Sequence, residues 1–171
     1  EPVVIVGDVE AAVLGNHDYW TGRADDVRAA LSGAGVQVLG GACVDVAVAP
    51  GRFVRLCGTD RPWGPGVEPV ARSEADATLL LSHTPDNITW ARRHGIDLVL
   101  AGHVHGGQIR FPLIGATFVP SRFSRRYDCG TFFEPPTVMH VSRGVAGQHP
   151  YRMLCRPELT RIVLKKELVV S

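Results

Sequence analysis

The strongest constraint in this sequence is that its short apolar runs keep stopping on metal-binding residue types. Val3 to Val6 ends on Gly7-Asp8, Ala12 to Leu14 on Gly15-Asn16-His17-Asp18, Thr78 to Leu81 on Ser82-His83, and Leu98 to Ala101 on Gly102-His103-Val104-His105. Runs of about four aliphatic residues without polar alternation predict strands buried on both faces. Polar side chains delivered at the carboxyl ends of such strands stand where layered α/β domains keep their ligand sites.

The connecting segments support that class. Asp25 to Ser32 has helical composition closed by Gly33 and Gly35, and Val36 to Leu39 reads as the next strand, a βαβ rhythm. Val44 to Val48 and Phe53 to Cys57 flank Pro50-Gly51, which predicts a hairpin leading to the Pro/Gly-rich loop Arg61 to Gly66. Asp86 to His94 reads as a helix with Asp86 or Asn87 as its cap and Gly95 as its stop, and Thr137 to Val141 and Thr160 to Val169 read as further strands.

A length of 171 residues, 45% of them hydrophobic, favours one core and one domain. With 18 basic against 17 acidic residues, the net charge of +1 gives no broad electrostatic reason to expect a nucleic-acid partner. The longest apolar runs fall far short of the ~20 residues that cross a bilayer. The chain has no initiator Met and no charged-then-apolar leader, so it reads as a processed or excised piece whose upstream segment could anchor it to a membrane surface. A cytoplasmic or membrane-associated bacterial location is expected. Cys43, Cys57, Cys129 and Cys155 are widely spaced without a C-x-x-C pair, and are expected as reduced, buried thiols.

Asp8, Asn16, His17, Asp18, His83, His103 and His105 each follow an expected strand. Imidazole and carboxylate suit zinc, iron or manganese, and an asparagine amide adds an oxygen ligand without charge. Two metals ~3.5–4 Å apart would clamp a phosphoryl group and lower the pKa of a bridging water. Gly-Asp and Gly-Asn-His-Asp are each also ordinary turn chemistry. Gly-His-Val-His-Gly-Gly is more specific, because i and i+2 histidines on an extended segment face the same side. All four motifs in one chain, each at a strand end, make a coincidence of turns hard to sustain.

Those four motifs together resemble the signature of calcineurin-like metallophosphoesterases. The strings Val13 to Trp20, Gly102 to Pro112 and Ser142-Arg143-Gly144 resemble its branch of bacterial phosphodiesterases of the YkuE and YaeI type, and the resemblance covers nearly the whole chain. It implies a four-layer αββα sandwich with mixed β-sheets, and hydrolysis of a phosphate ester or pyrophosphate by metal-bound hydroxide. Substrates in that branch include cell-envelope phosphodiesters and UDP-diacylglucosamine, so a phosphorylated small molecule or a lipid-linked substrate is the implied partner. The implied cofactor is two divalent metal ions, manganese, zinc or iron. Asp8 would bridge them, Asn16, His83 and His103 would complete one shell, and His105 would bind the other. His17 would contact the phosphate and protonate the leaving oxygen, with Asp18 orienting it.

The family's opening Asp-x-His pair has no counterpart before Asp8, and Asp8 lies only eight residues from Asn16. Parallel neighbouring strands need a crossover of ~12 or more residues. The expectation is therefore a single, incomplete catalytic domain, lacking an N-terminal strand and a crossover helix, with residues missing before Glu1 and between Asp8 and Val13. The rival is a shortened domain that has lost one metal and serves as a non-catalytic phosphate- or metal-binding module.

Arg122, Arg125 and Arg126, near Phe123 and Tyr127, suggest a site for a substrate phosphate or an anionic lipid surface, against the plainer reading of a solvated charged face. Phe118, Phe123 and Trp63 could line an apolar groove or pack in the core. His94, His140 and His149 follow no ligand motif and are assigned no chemistry.

Overall fold

The computed structural model describes residues 3–67, 74–145 and 151–165. In chain order it contains β1 (Val3–Val6), β2 (Val9–Ala12), α1 (Asn16–Trp20), α2 (Ala24–Gly33), β3 (Gln37–Val38), β4 (Cys43–Ala49), β5 (Arg52–Thr59) and β6 (Ala77–Ser82). It continues through α3 (Ile88–Arg93), β7 (Leu98–Ala101), β8 (Arg110–Phe111), β9 (Gly115–Ala116), β10 (Gly130–Glu134) and β11 (Thr137–Val141).

The larger sheet has six strands in the order β10-β11-β7-β6-β5-β4. Its interior strands β11, β7, β6 and β5 are parallel, and antiparallel β10 and β4 close the two edges. Because side chains alternate along a strand, the continuous apolar run of β6 feeds two cores. Leu79 and Leu81 face one core with Leu56 and Leu98, while Leu80 faces the other with Val99 and Met139. Ile88 and Ala91 of α3 fill the second core. Ala11, Val13 and Leu39, from the smaller sheet and its flanks, fill the first. Each fully buried leucine contributes about 1.5–3 kcal/mol, so these faces hold the layers together. The two sheets share one core and α3 covers the other face of the large sheet, an α/β fold with mixed sheets.

The smaller sheet runs β1-β2-β3, with β3 parallel to β2 across α1 and α2, which realises the βαβ rhythm. Its first pair departs from expectation. β1 and β2 are antiparallel, with Val6 opposite Val9 and Val3 opposite Ala12. The two-residue turn Gly7-Asp8, with Gly7 at φ 59°, is enough to join them. In this chain the eight-residue spacing is spanned by that turn and β2, not by a crossover between parallel strands. The strand also lies at Val9–Ala12 rather than Ala12 to Leu14, because pairing with both neighbours fixes its register.

Other expectations are corrected. Cys43 and Cys57 are not free thiols: they face one another across β4 and β5 and form a disulfide, while Cys129 and Cys155 are free. Asn87 is the N-cap residue of α3, one of the two expected positions, though its side chain makes no capping bond; Thr84 caps the preceding turn, its hydroxyl accepting from the Asp86 amide at 3.3 Å. Residues 160–165 form no strand and remain exposed; residues 166–169 lie outside the described residues. β10 was not expected, because Gly130–Glu134 alternates on an edge rather than forming an apolar run. Among the described residues, no helix is long and apolar enough to cross a membrane.

Candidate metal centre

The carboxyl ends of β6 and β7 lie side by side, and the Gly102 amide donates to the His83 carbonyl at 3.1 Å, tying the two turns together. Ser82 donates to the Thr84 carbonyl at 2.7 Å and accepts from Asn87 at 2.9 Å, which fixes the exit of β6. Asn16 enters from the other sheet, as the first residue of α1. Asp18 accepts the Gly15 amide at 2.8 Å, so the helix start is capped by its own third residue. Gly15 must be glycine: a Cβ there would overlap the His83 ring.

Three electron-pair donors meet at this point. Asn16 Oδ1 lies 2.9 Å from His83 Nε2, which lies 3.1 Å from His103 Nδ1. Burial is the main reason that His83 is pushed down to about 3, with His103 beside it the next cause. Burial also lowers His103, against a bond to the Pro120 backbone that favours its charged form. His105 is lowered by burial and then by Arg152. Neutral imidazoles keep their lone pairs. His83 Nδ1 is buried without a hydrogen-bond partner. Two imidazole nitrogens and an amide oxygen make a donor set that fits zinc, manganese or iron.

An aromatic wall flanks the cluster. Trp63 lies 5.4 Å from His83 and 5.0 Å from His103 between ring centroids, Trp20 packs edge-on against Trp63 at 6.3 Å, and His17 against Trp20 at 5.3 Å. Trp63 is thus part of the site's surroundings.

The other expected ligands are not gathered with these three. Asp8 occupies the exposed β1–β2 turn, at the end of β2 remote from Asn16. His103 and His105 have φ of 68° and 49°, so this segment is a glycine-rich turn and not the extended stretch that would aim both rings one way. The His105 carbonyl accepts from the Cys155 thiol at 3.3 Å. Among the described residues, no group of three or more His, Cys, Asp or Glu converges on one metal position. His17 is exposed on α1 and lies close enough to disfavour charge on His103 and His105.

Arg126 pairs with Glu134 at 2.7 Å and lies over the Tyr127 ring, and Arg125 donates to the carbonyls of Ile114 and Ala116. The Arg122 side chain is exposed. Phe123 packs against the core and Phe118 is exposed. His94 stacks on Trp90, His140 bonds Thr131 and Thr160, and His149 lies outside the described residues.

Asp60 was missed. Fully buried after β5, it accepts from the Leu14 amide at 2.9 Å and the Tyr19 hydroxyl at 2.7 Å, with Arg28 at 3.6 Å. It grips both sides of the Asn16 turn. Its position at the end of an apolar strand is the same signal that marked Asp8.

Comparison with known proteins gives this frame a family. The chain is 36% identical over 156 residues to phosphodiesterase YaeI of Escherichia coli, covering 90% of this chain and 57% of that protein. It is 27% identical over 158 residues to the metallophosphoesterase YkuE of Bacillus subtilis, covering 90% and 55%. It is 31% identical over 170 residues to a transmembrane protein with metallophosphoesterase domain of Danio rerio, covering 89% and 38%. No family model matches, and no solved structure matches. The chain belongs to the calcineurin-like metallophosphoesterase family. It spans about half the length of the first two relatives.

Proposed function

We propose that this chain is the catalytic unit of a metal-dependent phosphodiesterase. The supporting observation is the meeting of Asn16 Oδ1, His83 Nε2 and His103 Nδ1 within hydrogen-bond distance of one another at the ends of β6, β7 and α1. These three residues would hold one divalent ion, of manganese, zinc or iron. A bound ion would supply Lewis acidity toward a phosphoryl oxygen and lower the pKa of a bound water. His17, exposed at the mouth, is suited to give a proton to the leaving oxygen. Asp18 acts through the turn it caps and is a positioning residue. Arg122 is the arginine best free to meet a substrate phosphate, since Arg125 and Arg126 already hold protein groups. The substrate class is a phosphodiester or pyrophosphate, of a small molecule or a lipid-linked headgroup.

A second reading is a phosphate- or metal-binding module without catalysis. Its support is that neither Asp8 nor His105 joins the three-residue cluster, which leaves one half of a two-metal centre without ligands. Hydrolysis of bis-p-nitrophenyl phosphate with added manganese, zinc or iron, read beside metal content, tests the two. Activity that rises with metal and vanishes in His83→Ala supports the enzyme. Stoichiometric metal with no turnover under any of the three supports the module and sinks the first reading.

A further inference from the structure

We propose that the β8–β9 hairpin docks this chain on an anionic lipid surface. β8 and β9 pair antiparallel, Arg110 opposite Ala116 and Phe111 opposite Gly115, so Pro112, Leu113 and Ile114 form the tip. Hairpin tips usually carry Gly, Asn or Asp. Here Leu113 is fully exposed and Ile114 64% exposed, with Phe118 at 72% on the following segment. Residues 151–154 extend the patch, since Met153 bridges to Ile109 and Leu154 beside it is exposed. Large apolar side chains exposed together on one hairpin tip are a mark of an interaction site.

Charge selects the partner. Of the four arginines in residues 105–127, Arg110 is paired with Asp128 and Arg126 with Glu134, which leaves Arg122 and Arg125, among the described residues, as the cations without a carboxylate partner beside the tip. Arg125 is fastened to the hairpin through the Ile114 and Ala116 carbonyls, and Arg122 stands exposed close by in sequence. A second copy meeting this patch face to face would bring like-charged rims together, whereas an anionic bilayer neutralises them while accepting the apolar tip. The hairpin also abuts the histidine turn. Gly107 has no room for a Cβ, because Ala116 and the Phe118 carbonyl fill that space. Docking would therefore hold the cluster near headgroup phosphates.

The test needs no metal and no turnover. The chain in EDTA is sedimented with vesicles of phosphatidylglycerol and phosphatidylcholine, and with phosphatidylcholine alone. Expected is retention on the anionic vesicles that weakens with salt, falls about fivefold in Arg122→Gln, and falls at least about tenfold in the double variant Leu113→Asp, Ile114→Asp. Circular dichroism confirms that the double variant folds. Absence of vesicle binding, binding that the double variant retains, or a parent dimer that the double variant dissociates would each overturn the docking proposal and leave the hydrolase reading standing.

Discussion

The two sheets differ in how they treat the residues at their strand ends. The six-stranded sheet buries its parallel interior on both faces, so β6 and β7 end together and bring His83 and His103 into contact. The three-stranded sheet is short, opens with a hairpin, and delivers only Asn16 to the same point while Asp8 turns away at its far end. Parallel pairing with two covered faces converts a sequence motif into a shared site. A hairpin sends the residues of its turn to the end opposite the one where its second strand stops.

The largest expected effect tests the large-sheet half. His103→Ala removes one of three donors, and with it the several kcal/mol of charge stabilisation that a cation supplies to a phosphoryl transition state. Hydrolysis of bis-p-nitrophenyl phosphate should fall at least about 10³-fold. A next test loosens what joins the sheets. Asp60→Ala leaves the buried Leu14 amide and Tyr19 hydroxyl without their acceptor and should cost about 2–3 kcal/mol of stability in urea unfolding. An unchanged midpoint would mean that the Asn16 turn is held by other contacts.

Acid probes the buried rings. The folded pKa of His83 lies below its ordinary 6.5, so the unfolded chain takes up the proton first. The stability it contributes is full above pH 6.5 and is lost as pH falls toward about 3. Between pH 7 and 5 in EDTA the expected loss from His83 is about 2 kcal/mol, and His103 and His105 shift in the same direction. A flat profile would show that the cluster is wet. The smallest effect belongs to the other sheet: Asp8→Ala should change metal content and activity by less than about threefold, about 0.6 kcal/mol. A loss as large as that of His103→Ala would mean that the β1–β2 hairpin opens and carries Asp8 to the cluster.

Much of the large sheet was legible. Thr78 to Leu81 and Leu98 to Ala101 are almost wholly apolar runs, and burial on two faces leaves such runs few alternatives, while Thr137 to Val141 shows the alternation of a strand. That Asn16, His83 and His103 would stand at strand ends was legible for the same reason, since each follows an apolar run. The β1–β2 pairing was not, because four β-branched residues do not say whether their neighbour is parallel. The disulfide was not either: Cys43 and Cys57 meet through strand register, which spacing alone does not reveal. Asp60 was readable from its place after the apolar run of β5, although no ligand motif surrounds it.

The left-handed backbone of His103 and His105 sets a debt between durability and chemistry. A non-glycine residue held there costs on the order of 1 kcal/mol, which glycine would not incur. Mutations that drift toward glycine in this turn would make the chain hardier while erasing its imidazoles. Selection for persistence alone would therefore erase the His103 ring that meets His83 beside Asn16.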